Sequence, residues 1–218
     1  MSKLIVIEGT DCSGKETQSK LLFERLKKEN KKVVRFSFPM YETSTGKIIG
    51  GPYLGKKSIS DSWFKDPVSV DPKVASLYYA ADRKFNINII NEYLENDYIV
   101  LLDRYVTSNM GHQASKIKDE EKRLELYKWL EKLEYDLLEL PRPDKTIFLH
   151  MPYVFSIKLS QNRDELDAHE NDENHLRNAE IAYIEIAELY NFNVISCIEN
   201  GELKTIEAIS EEVYRSIL

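Results

Sequence analysis

An α/β fold with a five-stranded parallel sheet, helices on both faces and a short lid is predicted by three observations. Short branched-apolar runs alternate with amphipathic helical stretches from one end of the chain to the other, the pattern of strands joined by helical crossovers. No internal repeat, low-complexity tract or Ser/Gly linker interrupts that alternation, so residues 1–218 read as one domain. At 218 residues the chain is long enough for one substantial core. Right-handed crossovers then place ligands at the carboxyl ends of the strands.

Each element has its own signal. Leu4-Ile5-Val6-Ile7 is four branched apolar residues in a row, which predicts a strand covered on both faces. Leu21, Leu22, Phe23 and Leu26 form a helical stripe that ends at Lys27 and Lys28. Residues 32–38 read as the second strand, and Pro39 stops it. The stretch 41–71 carries Gly, Ser and Pro, with a short helical piece near 46–54. Asp71 and Pro72 supply an N-cap and an N1 proline for a long helix to about residue 95. Residues 97–103 form a third strand that closes on Asp103-Arg104. Leu124, Tyr127, Leu130, Leu133 and Leu137 mark another helix, broken by Pro141-Arg142-Pro143. A fourth strand at 145–151, a helix at 152–161, a charged segment at 162–173 and a helix at 174–190 follow. A fifth strand at 193–198 and a helix at 203–217 complete the chain. His150 is expected to be buried or capping at a strand end, and His169 and His175 to lie on the surface.

Composition narrows the function. The net charge of −7 argues against a nonspecific nucleic-acid binder, because such domains are usually basic. No apolar run approaches membrane-spanning length and the N-terminus lacks a signal-peptide core, which points to the cytoplasm. Cys12 and Cys197 form no spacing motif, consistent with a reducing compartment.

The chain is organised around Gly9-Thr10-Asp11-Cys12-Ser13-Gly14-Lys15-Glu16-Thr17, which follows the first strand and opens the first helix. Gly9, Gly14 and Lys15 fit G-x-x-x-x-G-K, the phosphate-binding loop. Glycines let backbone N–H groups turn toward an anion, and the helix N-terminus adds partial positive charge. Glu16 stands where a magnesium-binding Ser or Thr usually follows the lysine, and Thr17 comes one place later. The plain alternatives are a glycine-rich turn that binds nothing and a loop that binds a nucleotide without catalysis.

Four separated segments then resemble one family. They are Gly9 to Gln18, Phe38-Pro39-Met40-Tyr41, Tyr79-Ala80-Ala81-Asp82-Arg83, and Asp103-Arg104-Tyr105-Val106-Thr107-Ser108-Asn109 with Gln113 beyond it. Leu140-Pro141-Arg142-Pro143-Asp144 adds a fifth, and the likeness covers the chain from near residue 3 to the final helix. In this order and spacing they resemble the thymidylate kinases among the P-loop nucleoside monophosphate kinases. The resemblance implies a P-loop NTPase fold of three α/β/α layers. It implies γ-phosphoryl transfer from ATP to dTMP with Mg2+, and a homodimer that engages neither nucleic acid nor membrane.

The resemblance also implies roles. Gly9 to Thr17, that is Gly9, Thr10, Asp11, Cys12, Ser13, Gly14, Lys15, Glu16 and Thr17, would cradle the donor phosphates. Lys15, Arg104, Asp11 and the lid residue Arg163 would form the catalytic set, with Lys158 and Arg177 as reserves for the lid charge. Arg83 is expected to clamp the acceptor phosphate, since a guanidinium binds phosphate oxygens in pairs. A surface ion pair of Arg83 with Asp82 or Glu92 is its plain alternative. Tyr79 would stack on the base. Asp11, Phe38, Pro39, Tyr41, Arg104, Ser108, Asn109, His112 and Gln113 complete the acceptor contacts. Asp11, Asp103 and Tyr41 are the candidate metal ligands, with water open as a further replacement for the missing hydroxyl. Three positions depart from the family. Tyr41 stands where many members have an arginine. Cys12 stands where some have a catalytic arginine, and His112 where some have a tyrosine near the sugar. A kinase of shifted specificity, acting on dUMP or another deoxynucleotide, and a nucleotide-binding module without transfer activity remain the alternatives.

Overall fold

The computed structural model describes residues 3–160 and 173–218. Five parallel strands form one sheet in the order β2-β3-β1-β4-β5: β1 Lys3–Gly9, β2 Val33–Ser37, β3 Ile99–Asp103, β4 Lys145–His150 and β5 Asn193–Ser196. The central strand shows why the sheet must be sandwiched. Leu4 and Val6 join one buried cluster, and Ile5 and Ile7 join another on the opposite face, as the two-residue period of a strand requires. The first cluster is closed by α3 Pro72–Glu95, α4 Val106–Ala114, α5 Glu120–Glu131 and α7 Glu173–Leu189. The second is closed by α1 Lys15–Lys28, α6 Tyr153–Ser160 and α8 Ile206–Ile217. The predicted three-layer α/β/α arrangement is therefore present.

Register brings the carboxyl ends of the strands together. Ile7 of β1 and Ser37 of β2 both lie beside Asp103 of β3. The loop after β1, the Phe38–Pro39 step after β2 (a cis peptide) and Arg104 after β3 consequently open on the same edge.

Most predicted elements are found with shorter strands. α3 begins where Asp71 predicted, with the Asp71 carboxylate accepting from the backbone N–H groups of Lys73 and Val74. The short helical piece is α2, Ser44–Ile48, which runs into a π-helical turn at Ile49–Tyr53. The stripe from Leu124 to Leu137 is α5 followed by a π-helical turn, Lys132–Leu137. Two features had no prediction. Helix α4 buries Thr107, Ser108, Asn109 and Gln113 alongside a short stripe of Val106, Met110 and Ala114, so its apolar periodicity is diluted by buried polar residues. The predicted fifth strand ends at Ser196; Ile198–Glu199 (β6) turns back as a hairpin onto Glu202–Leu203 (β7) through Asn200-Gly201. Both hairpin residues have positive φ, the Asn-Gly turn chemistry that could have predicted it. The last helix accordingly starts at Ile206, capped by Thr205. The predicted lid, 162–173, falls outside the described residues except for Glu173, which opens α7.

Candidate active site

The loop between β1 and α1 is built as the motif predicts. Gly14 caps α1 with φ +75°, a left-handed conformation that disfavours a side chain even though the space around it is open. Gly9 is needed for the opposite reason: a Cβ there would lie 2.2 Å from Ser13 Oγ. Cys12 (φ +60°) and Arg104 (φ +67°) hold left-handed backbone without being glycine, and both sit at the edge where the strands end. The Thr10 hydroxyl donates to Met151 O at 2.7 Å and accepts from Met151 N at 2.9 Å, tying the loop to the end of β4. Ser156 Oγ donates to Asp11 O at 2.7 Å.

The charges behind this loop are few and close. Lys15 is buried, and its Nζ donates to Thr10 O at 3.2 Å. Burial, and then the charge of Arg104, push its ammonium down to about 8. Asp11 is also buried, which alone would raise its carboxyl; His112, Lys15 and Arg104 together hold it down to about 2. Arg104 Nη2 lies 3.8 Å from Asp11 Oδ1, and Arg104 Nη1 lies 2.9 Å from His112 Nε2. That second contact is a hydrogen bond when His112 presents a bare Nε2, since the guanidinium has only donors to offer, whereas the charged imidazolium is the form that depresses Asp11. Asp103 is buried and is reached by Arg35 Nη2 at 3.1 Å. Arg35 also donates from Nε to Ser19 Oγ at 2.8 Å, a role the sequence reading missed.

A cleft runs away from the loop. Asp11 and Arg104 line one part of it. Phe38, Pro39, Tyr41, Leu54, Tyr79, Arg83, Tyr105, Ser108, Asn109, His112 and Gln113 line the rest. All the predicted acceptor residues thus border one cavity. Leu54 and Tyr105 join them without having been predicted.

Several of these residues are engaged differently from expectation. Arg83 does not pair with Asp82 or Glu92. Its Nε and Nη2 grip the carboxylate of Glu134, and its Nη1 donates to Tyr105 O at 3.3 Å. Asp82 instead organises the loop after β2, accepting from Met40 N at 2.9 Å and Thr45 Oγ1 at 2.7 Å. The Ser108 hydroxyl is committed to Glu8, which also accepts from the N–H groups of Tyr105 and Ser108 and from Thr107 Oγ1. Glu8 is an acid inside an apolar strand, a signal that could have been read as a cap for a helix arriving from elsewhere. Tyr41 packs its ring over Gly50, and Lys56 Nζ sits 3.9 Å from the ring centroid on that ring's face. Glu16 is exposed and pairs with Lys20 at 2.6 Å, and Thr17 is exposed. Arg163 lies outside the described residues. Lys158 on α6 places Nζ 5.2 Å from the Phe155 ring centroid.

The histidines are corrected in part. His175 is buried rather than superficial; it stacks on His112 with centroids 6.0 Å apart, and its Nδ1 lies 3.2 Å from Ser115 Oγ. His150 is half-buried, with Nε2 2.7 Å from Glu180 Oε1. His169 is outside the described residues. Both cysteines are free thiols, and burial pushes the Cys197 thiol up to about 11.

A parallel α/β sheet with a phosphate loop at its centre and an adjoining cleft at the strand ends is the architecture of a P-loop nucleotide kinase. The comparisons agree. The family model for thymidylate kinase matches residues 7–213. A probable thymidylate kinase of Sulfolobus acidocaldarius is 30% identical over 214 residues, covering 97% of this chain and 94% of that protein. The thymidylate kinase of Schizosaccharomyces pombe is 31% identical over 177 residues, 81% of this chain and 74% of that one. The solved structure of thymidylate kinase from Candida albicans matches the fold with a TM-score of 0.75 at 24% identity, over 99% of this chain and 91% of that one. The chain belongs to the thymidylate kinase family, whose reaction is the phosphorylation of dTMP with ATP as donor.

Proposed function

We propose that this chain transfers the γ-phosphoryl group of ATP to dTMP in line across the gap between the loop and the cleft. The observation that carries this reading is the shared wall: Asp11 belongs to the phosphate loop and lines the cleft. A monophosphate in that cleft meets the donor at Arg104. Phosphoryl transfer needs positioning and charge neutralisation more than covalent help. The loop N–H groups and Lys15 hold the donor phosphates. Arg104, kept in place by His112 and Asp11, faces the oxygens whose charge grows in transfer. The acceptor phosphate is already anionic, so no general base is required.

Magnesium fits the oxygen chemistry here. Asp11 and Asp103 are two buried carboxylates beside the loop, and Mg2+ prefers such oxygens together with waters and phosphates. When bound, the ion would neutralise donor phosphate charge. Tyr41 suits the role less well, because a lysine cation already sits over its ring. Arg163 remains the lid residue we favour for the remaining positive charge.

Arg83 suits the base better than the acceptor phosphate. Glu134 cancels its charge, and a neutralised guanidinium offers hydrogen bonds without net attraction for an anion. Tyr79 lines the cleft with its ring edge-on to Tyr53 at 6.0 Å, which supports the stacking role we assign to it. We also infer a homodimer in the cytoplasm. No helix among the described residues is long and apolar enough to cross a membrane. Val74, Leu77, Phe85 and Ile89 leave an exposed apolar stripe on the outer face of α3, away from the cleft. Sedimentation should show a dimer that Phe85→Asp converts to monomer; a wild-type monomer would remove this inference.

The test of function is an ADP-release assay with ATP, magnesium and dTMP, dUMP, UMP, dCMP or dGMP. Turnover should be strongest with dTMP. Stronger turnover with another monophosphate would keep the mechanism and replace the substrate. No turnover despite ATP binding would favour a binding module.

A further inference from the structure

Glu134 is fully buried in the π-helical turn after α5, far in sequence from every motif of the site. A carboxylate in that position is costly unless it is fully paired. Its partners are two residues that line the cleft. Oε1 accepts from Arg83 Nη2 at 2.6 Å and from Asn109 Nδ2 at 3.1 Å, and Oε2 accepts from Arg83 Nε. Asn109 Nδ2 spends its other hydrogen on Ser76 O at 3.2 Å.

These bonds leave a defined edge. Asn109 has both amide hydrogens directed at oxygens, so its Oδ1 must be the atom on the other side. That Oδ1 and Gln113 Oε1 are buried without a hydrogen-bond partner among the described residues. Arg83 uses three of its five N–H donors on Glu134 and Tyr105. Arg83, Asn109 and Gln113 all line the cleft, so its end brings together a guanidinium with two uncommitted N–H donors and amides whose oxygens have no partner among the described residues, and the Arg83 cation is matched by a carboxylate.

We propose that Glu134 is a positioning residue that sets the base specificity of the acceptor site. It locks the donor edge of Arg83 and the inward orientation of the Asn109 amide oxygen. The proposal rests on the dTMP-kinase reading and adds to it the residue that enforces it. A pyrimidine carrying a carbonyl next to a ring N–H complements that edge. Cytosine, with a bare ring nitrogen beside an amino group, places an acceptor against an acceptor. Without the carboxylate, only the bond to Ser76 O still favours the inward amide oxygen of Asn109, and a flipped amide would donate to cytosine.

The experiment compares wild type, Glu134→Gln and Glu134→Asp for turnover of dTMP and dCMP, with ATP affinity measured separately. Glu134→Gln should raise KM for dTMP by about 10- to 100-fold, the scale of losing charge-assisted hydrogen bonds. It should lower the dTMP-to-dCMP preference by at least about tenfold while ATP affinity stays unchanged. Glu134→Asp, which keeps the charge, should recover part of the preference. A loss of stability alone would lower the active fraction and leave both KM and the preference as they were. If either variant fails to fold, Arg83→Met/Glu134→Leu removes both charges together, a replacement that buried pairs tolerate. It should phosphorylate dTMP and dCMP with similarly poor efficiency. A wild-type preference in folded Glu134→Gln, or in the double variant, overturns the proposal. A wild-type enzyme inactive on dTMP overturns the functional reading instead.

Discussion

The two ends of the cleft handle positive charge in opposite ways. At the loop end, buried Lys15 and half-buried Arg104 lie close enough that Arg104 depresses the Lys15 ammonium. Asp11 faces that pair from 3.8 Å, a distance that leaves the guanidinium available to another anion. At the far end a guanidinium, Arg83, is locked onto a fully buried carboxylate and keeps only a small exposed edge on the cleft. A site that must receive phosphates keeps cations in tension with one another. A site that must receive a neutral ring cancels its cation and retains only the directional hydrogen bonds.

The same contrast explains what the sequence reveals. The loop end is written in consecutive residues, because one strand, one tight turn and one helix N-terminus make it. Lys15 and the two glycines could be assigned from spacing alone, and Asp11 from the family resemblance. The far end is assembled by contacts between residues remote in sequence: Arg83 meets Glu134 across 51 positions and Ser108 meets Glu8 across 100. Arg83 was visible as a candidate, but its partner was not, so its charge was assigned to a phosphate. The sheet was legible because its central strands are apolar on both faces. Helix α4 was not, because half of its buried residues are polar and are satisfied by distant groups.

The largest effect should come from the loop end. Arg104→Ala should lower kcat by about 10²–10³, the scale of removing one preorganised donor from developing charge. Stopped-assay kinetics at saturating ATP and dTMP would check it. An unchanged kcat would mean that the tension between Lys15 and Arg104 serves binding alone.

Arg83→Ala should produce a different signature. Acceptor KM should rise by about 10- to 100-fold, while ATP affinity is retained. It also leaves Glu134 buried and unpaired, so stability should fall by about 3–5 kcal/mol, measured by urea unfolding. A fall in kcat with unchanged acceptor KM would return Arg83 to the phosphate and erase the contrast between the two ends.

A smaller effect should appear with pH. In the empty site the Lys15 ammonium titrates near 8, so its charge is full below that value and lost above it. The kcat/KM for ATP should therefore decline as pH rises through about 8. Bound phosphates favour the charged form, so kcat should hold to higher pH. Coincident profiles for the two quantities would show that Lys15 keeps its charge without ligand.

The smallest effect belongs to Glu16, the residue that departs from the usual loop. Its carboxylate is exposed and bound to Lys20 one turn along the same helix. An exposed i,i+4 pair contributes about 0.3–0.5 kcal/mol. The side-chain hydrogen bond to Lys20 lowers the carboxyl from its ordinary value, so that contribution is present near neutral pH and fades on acidification. Glu16→Gln should shift thermal stability slightly at pH 7 and leave kcat and both KM values within about twofold. The pair points to solvent rather than to the cations at the loop end. A large loss of magnesium-dependent turnover in Glu16→Gln would show instead that Glu16 leaves Lys20 when the donor binds, which would add a carboxylate to the loop end and shift its charge balance toward that of the far end.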